Sequence, residues 1–283
     1  MMAQDFSYWR PASIAEATAL FASLRQAGQT PMYYAGGTEI LTRARNGELR
    51  PHAVIDIKGI EALRSWSRDA TGWHFGAALS LDTLADHSPW PLLGHVAARI
   101  ADHTSRTHIT LGGNLASALP YREAALPFWL VDAHITLADA AHTWTVPFDE
   151  AFTGTLSLAP GDLVVELSVP PSQTDLPFFT QKQTRLDFVD YPLVTLAAVR
   201  WPDGTVRVAH SGLTTTPRRA AAEELAAINQ SGSAATRAAL AVRRLAGPIV
   251  HDLHGSADYR RFVYHYTLAD ALAALDREEA SPS

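Results

Sequence analysis

The sequence predicts an α+β fold, with an N-terminal part of two subdomains and a smaller C-terminal sheet that carries helices. Three observations lead there. The N-terminal half alternates short apolar runs with stretches of helical spacing. A polar, proline-rich link, "PPSQTDLP" (Pro170 to Pro177), then changes the composition. Beyond it come apolar strand-like runs, followed by alanine-rich helical segments.

Taken in order, Ser13 to Ala27 carries Ile14, Ala17, Leu20, Phe21 and Leu24 at helical spacing, with Ser13 as N-cap and Gly28 past the end. "PMYY" reads as a short strand leading into Gly36-Gly37, and Thr38 as the cap of a helix Glu39–Asn46 that Gly47 ends. "HAVIDI" and "GWHFGAALS" are strands, "LDTLADH" is a short helix, and Pro91 to Ala101 is a helix. "THITL" runs as a strand into Gly112-Gly113, and Tyr121 to Asp132 is helical. "HITLADAAHTWTV" and "GDLVVELSVP" are strands flanking the loop "FDEAFTGTLSLAPGD". After the link, "FFTQKQ", "YPLVTLAAVRW" and "TVRVAHSGLTT" are strands, with Pro202-Asp203-Gly204 as a hairpin turn. Helices follow over Arg218–Asn229, Ala234–Leu245 and Ala257–Asp276, and the tail "EEASPS" is expected to be disordered.

Composition excludes several function classes. The net charge is −6 and no run of Lys or Arg exceeds two, so an electrostatic footprint for nucleic acid is missing. No 18-residue apolar segment and no signal-peptide pattern is present; the expectation is a soluble, cytoplasmic chain with no membrane insertion. Cysteine is absent, which rules out disulfides, thiolate metal sites, a Cys nucleophile and a cysteine-ligated iron-sulfur cluster within these 283 residues. It also removes a cysteinyl link to a flavin. Charged residues are 18%, below the roughly 25% of a typical domain, and with seven Trp this hints at surface covered by a partner or ligand.

No two glycines lie two apart, so the dinucleotide fingerprint G-x-G-x-x-G cannot occur. There is no Walker A, no G-x-S-x-G and no H-E-x-x-H. His251 and His254 lie three apart but lack the further ligands of a metal site, so no metal is expected. No catalytic carboxylate pair stands out. The absences lean away from hydrolysis and toward cofactor binding or electron transfer.

What remains is a repeated glycine corner, "YYAGGTEI" (Tyr33, Tyr34, Ala35, Gly36, Gly37, Thr38, Glu39, Ile40) and "TLGGNLAS" (Thr110, Leu111, Gly112, Gly113, Asn114, with Ser117). Glycine allows positive φ and close approach of another group. Successive N–H groups in such a turn form a concave nest for an anion, and a helix N-terminus behind it adds donors and a favourable dipole. Two such corners could grip a pyrophosphate from opposite sides. Two ordinary tight turns fit the same residues. Glu39 is at odds with anion binding unless its carboxylate points away.

At this spacing, "YYAGGTEIL" and "TLGGNLASALP" resemble the FAD-binding medium subunit of the molybdenum hydroxylases, the xanthine dehydrogenase and carbon monoxide dehydrogenase family, whose members read close to AGGT(D/E)L and then ATIGGNxxxASP. The resemblance spans the chain, with "GDLVVELSVP" similar to the strand closing the family's FAD domain. It implies the vanillyl-alcohol-oxidase-type (PCMH-type) FAD-binding fold over residues 1–172, with subdomains about 1–57 and 58–172, and a small C-terminal α/β domain over 173–283. It implies FAD held non-covalently, with both corners at the diphosphate and ribitol and no catalytic residue in the chain itself. By the same resemblance Glu123 reaches the sugar, Ile100 and Val164 lie near the adenine, Lys182 lies near the isoalloxazine, and Tyr191 packs on the ring. The sequence departs from the family at "SRTHIT", where Arg106 is kept but Thr107 replaces Asn, and at "ALPYRE" in place of ASPxxD. Those changes touch the ribose contacts and Glu123 more than the pyrophosphate loops.

The function implied is an electron-transfer oxidoreductase subunit. It would take electrons from 2Fe-2S clusters on a small partner and serve a large molybdopterin subunit in a dimer of heterotrimers. Absence of Cys fits clusters carried on another chain. The alternatives are a stand-alone FAD-dependent enzyme recruited from this family, and a scaffold that has lost FAD, against which the intact "AGGT" and "GGN" argue.

Overall fold

The computed structural model describes residues 5–186 and 189–279. The chain forms two units, each assembled from separated stretches. The first comprises Met1–Leu84, His103–Ser117 and Ala133–Pro171, and the second Ala85–Asp102, Ala118–Asp132 and Ser172–Ser283.

The first unit opens with strand β1 (Ser7–Trp9), too short and polar to register as a sequence pattern, and helix α1 (Ile14–Gln26). Ser13 caps α1 by accepting the Glu16 N–H at 3.1 Å, and Glu16 reaches back to the Ala12 N–H at 2.8 Å. Strands β2 (Pro31–Tyr34) and β3 (Ala53–Asp56) join β1 in a parallel sheet of order β1-β3-β2. Parallel strands need crossovers, and α1 and α2 (Thr38–Arg45) supply them. Ala17, Phe21 and Leu24 of α1 bury in one core with Ala53 and Ile55 of β3 and the following Ile57.

A second, antiparallel sheet has the order β4-β5-β8-β6-β7, formed by β4 (Trp66–Arg68), β5 (Trp73–Gly76), β6 (His134–Ala138), β7 (Thr143–Pro147) and β8 (Leu163–Val169). The Asp139 carboxylate holds the β6–β7 turn through the Ala141 and His142 N–H groups. Ala138, Leu163 and Val165 share the core of α1, so the two sheets are built on one apolar interior. Among the described residues, short α-helices that belong wholly or partly to this unit are α3 (Leu81–His87), on which the chain leaves it, α5 (His103–Arg106), α6 (Leu111–Leu115) and α8 (Phe148–Ala151).

In the second unit β9 (Phe178–Thr184), β10 (Pro192–Arg200), β11 (Val206–Ser211) and β12 (Arg218–Arg219) form an antiparallel sheet of order β12-β11-β10-β9. The Asp203 carboxylate fixes the β10–β11 turn by accepting the Thr205 N–H at 2.9 Å. β10 is buried at every residue from Pro192 to Val199. Helices α4 (Pro91–Ala98), α7 (Ala125–Leu130) and α11 (Ala257–Glu279) pack on this sheet, with α7 and α11 both against β10. Cover on both faces is why "PLVTLAAV" shows no polar alternation. Helices α9 (Ala222–Ile228) and α10 (Ala234–Arg243) complete the unit, and its core joins Val194, Leu196, Val208, Ile228, Tyr264 and Leu272.

Several sequence expectations need correction. "THITL" is not a strand: its ladder is a single bridge, Ser80–Thr110, because Thr110 turns its hydroxyl to the Gly113 N–H and starts α6. The helix expected over Pro91–Ala101 stops at Ala98, and Ala101 takes a φ of 51°. The helix expected over Tyr121–Asp132 starts only at Ala125, because Arg122 takes a φ of 34°, outside the helical range. Arg218 and Arg219 are strand rather than helix. The Arg218 guanidinium is committed to Glu224, to His210 Nε2 at 3.2 Å and to the Ala246 carbonyl at 2.6 Å. The expected disordered tail lies outside the described residues from residue 280 on, and α11 runs to Glu279. Among the described residues no helix is long and apolar enough to cross a membrane.

Candidate functional site

At the first corner, β2 ends at Tyr34 and α2 begins at Thr38. Of the four corner glycines only Gly37 takes a positive φ, 71°, and it is the N-cap of α2; Thr38, expected as the cap, is the first helical residue and is exposed. Gly37 lies against the Tyr34 ring, where an added Cβ would come within 2.3 Å of ring carbon. Gly36 is glycine for another reason: a Cβ there would sit 1.6 Å from the His108 carbonyl oxygen. The first ladder bond of α2 is Leu41 N–H to the Gly37 carbonyl, 2.9 Å. The N–H groups of Thr38, Glu39 and Ile40 therefore lie ahead of the helix's own ladder and face its N-terminus.

The second corner is built differently from the expectation. Gly112-Gly113 is not a turn before a helix but the first turn of α6 itself. Its donors are spent within the unit: Leu111 N–H on the Leu79 carbonyl (2.9 Å), Gly112 N–H on Ala77 (2.7 Å), Gly113 N–H on Thr110 Oγ1 (3.2 Å) and Asn114 N–H on Thr110 (2.8 Å). Gly112 must be small because a Cβ would stand 2.8 Å from that of Ala77. The second corner is thus no anion nest, and it presents exposed Gly113 and the half-buried side chains of Asn114 and Ser117 instead.

The two corners meet. Gly36 touches the backbone of His108, and Ser117 Oγ donates to Glu39 Oε2 at 2.5 Å across 78 residues of sequence. Glu39 Oε1 faces Arg43 Nη1 at 3.4 Å. The carboxylate that argued against an anion is turned onto a hydroxyl and a guanidinium. The N-terminal end of α2, with its dipole and with N–H groups that lie ahead of its own ladder, suits an anionic group.

The other expected residues divide between the units. Tyr33 carries its backbone to the corner, but its ring stacks on Phe21 at 4.8 Å and its hydroxyl donates to the Gly161 carbonyl at 3.0 Å; burial pushes its pKa well up. Ala35 and Ile40 are half-buried at the corner, and Val164 is buried in β8. Ile100, Glu123, Lys182 and Tyr191 belong to the second unit. There Lys182 Nζ donates to Glu123 Oε2 at 3.3 Å and to the Arg99 carbonyl at 3.0 Å, and Thr195 Oγ1 donates to Glu123 Oε1 at 2.5 Å. Glu123 and Lys182 are one buried ion pair. Ile100 is buried close by in sequence, its N–H on the Ala97 carbonyl. Tyr191 is half exposed and stacks on Tyr121 at 4.7 Å.

Sequence reading overlooked the group behind Tyr34. Lys58 Nζ lies 4.2 Å from the centre of the Tyr34 ring and 2.8 Å from buried Asp56, which also accepts the Tyr8 hydroxyl and the Lys58 N–H. The D-x-K spacing was visible, but only the parallel pairing of β1, β3 and β2 brings Tyr8, Asp56 and Tyr34 to the same ends of adjacent strands. His254 pairs with Asp190 at 3.8 Å and meets Tyr191 edge-on, and among the described residues no group of three His, Asp or Glu is placed to hold a metal.

A family model described as the FAD binding domain in molybdopterin dehydrogenase matches residues 4–172. The chain is 29% identical over 272 residues to the carbon monoxide dehydrogenase medium chain of Hydrogenophaga pseudoflava, across 92% of this chain and 93% of that one. It is 26% identical over 292 residues to the 6-hydroxypseudooxynicotine dehydrogenase complex subunit alpha of Paenarthrobacter nicotinovorans, across 96% of each. Its fold matches a chain of the solved carbon monoxide dehydrogenase of Hydrogenophaga pseudoflava with a TM-score of 0.85 at 28% identity, across 98% of this chain and 99% of that one. The α+β, vanillyl-alcohol-oxidase-type fold expected from the sequence is thereby borne out. With both glycine corners inside the matched segment, the chain belongs to the FAD-binding medium subunits of the molybdenum hydroxylases, as an oxidoreductase subunit that binds FAD.

Proposed function

We propose that this chain is the electron-transfer subunit of a molybdenum hydroxylase complex, receiving electrons from 2Fe-2S clusters of a small partner subunit and passing them to an external acceptor. A large molybdopterin subunit would oxidise the substrate, and the complex would be a dimer of heterotrimers. The observation that carries this reading is the meeting of two glycine corners, 76 residues apart in sequence, at the N-terminus of α2. Bound FAD supplies the redox chemistry. The chain supplies position: the leading N–H groups of α2 for the diphosphate, with Thr110, Asn114 and Ser117 bordering them. The absence of cysteine from these 283 residues fits iron-sulfur clusters carried on another chain.

Family correspondence alone extends the reading to Ile100 and Val164 at the adenine, Glu123 at the sugar, and Lys182 and Tyr191 at the isoalloxazine. It also assigns the FAD-binding domain to residues 1–172 and the C-terminal domain to 173–283. Glu123 and Lys182 enter as a pair, since each already satisfies the other.

The test is to co-express the chain with the genes beside its own. The purified chain is expected to be yellow and to release intact FAD on heating or acidification, and a 2Fe-2S subunit and a molybdopterin subunit are expected to co-purify. Flavin that stays with the precipitated protein would overturn the non-covalent attachment. An isolated chain that turns over a substrate with no partner bound would replace the electron-transfer reading with the stand-alone flavoenzyme.

A further inference from the structure

Glu39 poses a problem that its contacts resolve. It is the second residue of α2, where the helix dipole favours a carboxylate but where the same carboxylate would repel a diphosphate drawn to that end. In the structure neither oxygen is turned to the helix axis alone: Oε2 takes the Ser117 hydroxyl at 2.5 Å, and Oε1 faces Arg43, whose Nε in turn lies 3.4 Å from Glu48. The Glu39 side chain is 26% exposed, so the bond to Ser117 is partly shielded from competing water.

The Gly36–His108 contact between the corners is a steric stop. A stop sets how near the corners come but does not hold them there. Gly37, in the left-handed conformation between that stop and α2, carries no side chain that would fix the angle at which the helix leaves the corner. An attractive bond one residue into the helix, on the far side of Gly37, removes that freedom. Ser117 is well placed for it because it lies two residues past α6, which the Leu111 and Gly112 N–H bonds to the Leu79 and Ala77 carbonyls anchor to the rest of the unit.

We infer that Glu39 is a positioning residue and not a cofactor contact: its bond to Ser117 locks the first glycine corner to the second, and FAD affinity depends on that lock. The inference rests on the reading that the N-terminus of α2, at the first corner, holds the diphosphate. It makes a prediction of sign. If the Glu39 carboxylate merely faced the phosphates, Glu39→Gln would bind FAD more tightly. As a lock, Glu39→Gln and Ser117→Ala each bind FAD more weakly, by roughly tenfold, the scale of a hydrogen bond to a charged group. The double variant is no worse than the weaker single one, because both act on the same bond, Gln by discharging its acceptor and Ala by removing its donor. Ser117→Thr, which keeps the hydroxyl, restores affinity.

The measurement is FAD titration of the full-length chain freed of flavin, followed by flavin fluorescence, with the melting temperature of each flavin-free variant alongside. The lock leaves melting within a few degrees of the parent while affinity falls. Affinities of Glu39→Gln equal to or tighter than the parent, or single effects that add in the double variant, overturn the inference. So does a loss of affinity that only follows a loss of folded protein and that Ser117→Thr fails to repair. A parent chain that binds no FAD at all overturns the reading beneath it as well, which separates the two failures.

Discussion

Gly36 and Gly37 are adjacent and identical in sequence, yet they are required for different reasons. Gly37 needs its positive φ, whereas Gly36 needs only the absence of a side chain against His108. A valine at Gly36 would therefore disturb the unit before any cofactor arrived, and it measures folding as much as binding. Gly47, which ends α2 with a φ of 77° and nothing nearby, would be strained by alanine even though the space around it is open. His210 shows a residue whose chemistry is decided wholly by its surroundings. It is fully buried in β11, and burial, with Arg218 beside it, holds its pKa down to about 3. Between that value and about 6.5 the unfolded chain takes up a proton at this ring that the folded chain does not, so stability falls as pH falls through the window. We expect His210→Asn to flatten the loss of stability between pH 7 and 4.5, by up to about 1.4 kcal/mol per pH unit, in urea unfolding. Parallel slopes in parent and variant would mean that the ring is protonated in the folded chain.

At the scale of elements, β10 was legible as a buried strand, but the polar residue inside it was not explained by pattern. Thr195 is 2% exposed in an otherwise apolar run, and its hydroxyl serves Glu123, which is also paired with Lys182 of β9. Removing one partner of a buried pair leaves an uncompensated charge. Lys182→Met should destabilise the chain by about 3–5 kcal/mol, and adding Glu123→Gln should recover much of the loss. Chemical denaturation of the two variants checks this; equal stability of parent and Lys182→Met would show that Glu123 is neutral or solvated. The helix starts illustrate the same limit of pattern. Helical spacing runs through Arg122 and Arg218, but a positive φ at one and a sheet pairing at the other begin the helices later.

For the whole molecule, the two units interleave along the chain. Residues 85–102 and 118–132 pack in the second unit, where Trp90 meets Phe128 edge-on at 5.3 Å, His95 meets Phe178, and the Leu130 carbonyl accepts the Trp201 indole N–H at 3.0 Å. A chain cut after residue 172 loses β9, β10 and β11 and strips the cover from α4 and α7. It should be insoluble or aggregate, although it keeps both glycine corners; a monomeric product with a cooperative melt would contradict this account. The sequence by itself determined the α+β class, the positions of most strands, the two corners and the exclusion of thiolate chemistry, because periodicity, glycine pairs and the lack of cysteine are local or compositional properties. Tertiary structure alone decided that the second glycine pair is a helix with its donors spent, that Tyr33 turns inward, and that Glu39 faces Ser117. Each of these depends on which carbonyl, ring or hydroxyl a distant segment brings within hydrogen-bond reach, and residue spacing along one chain carries no record of that distance.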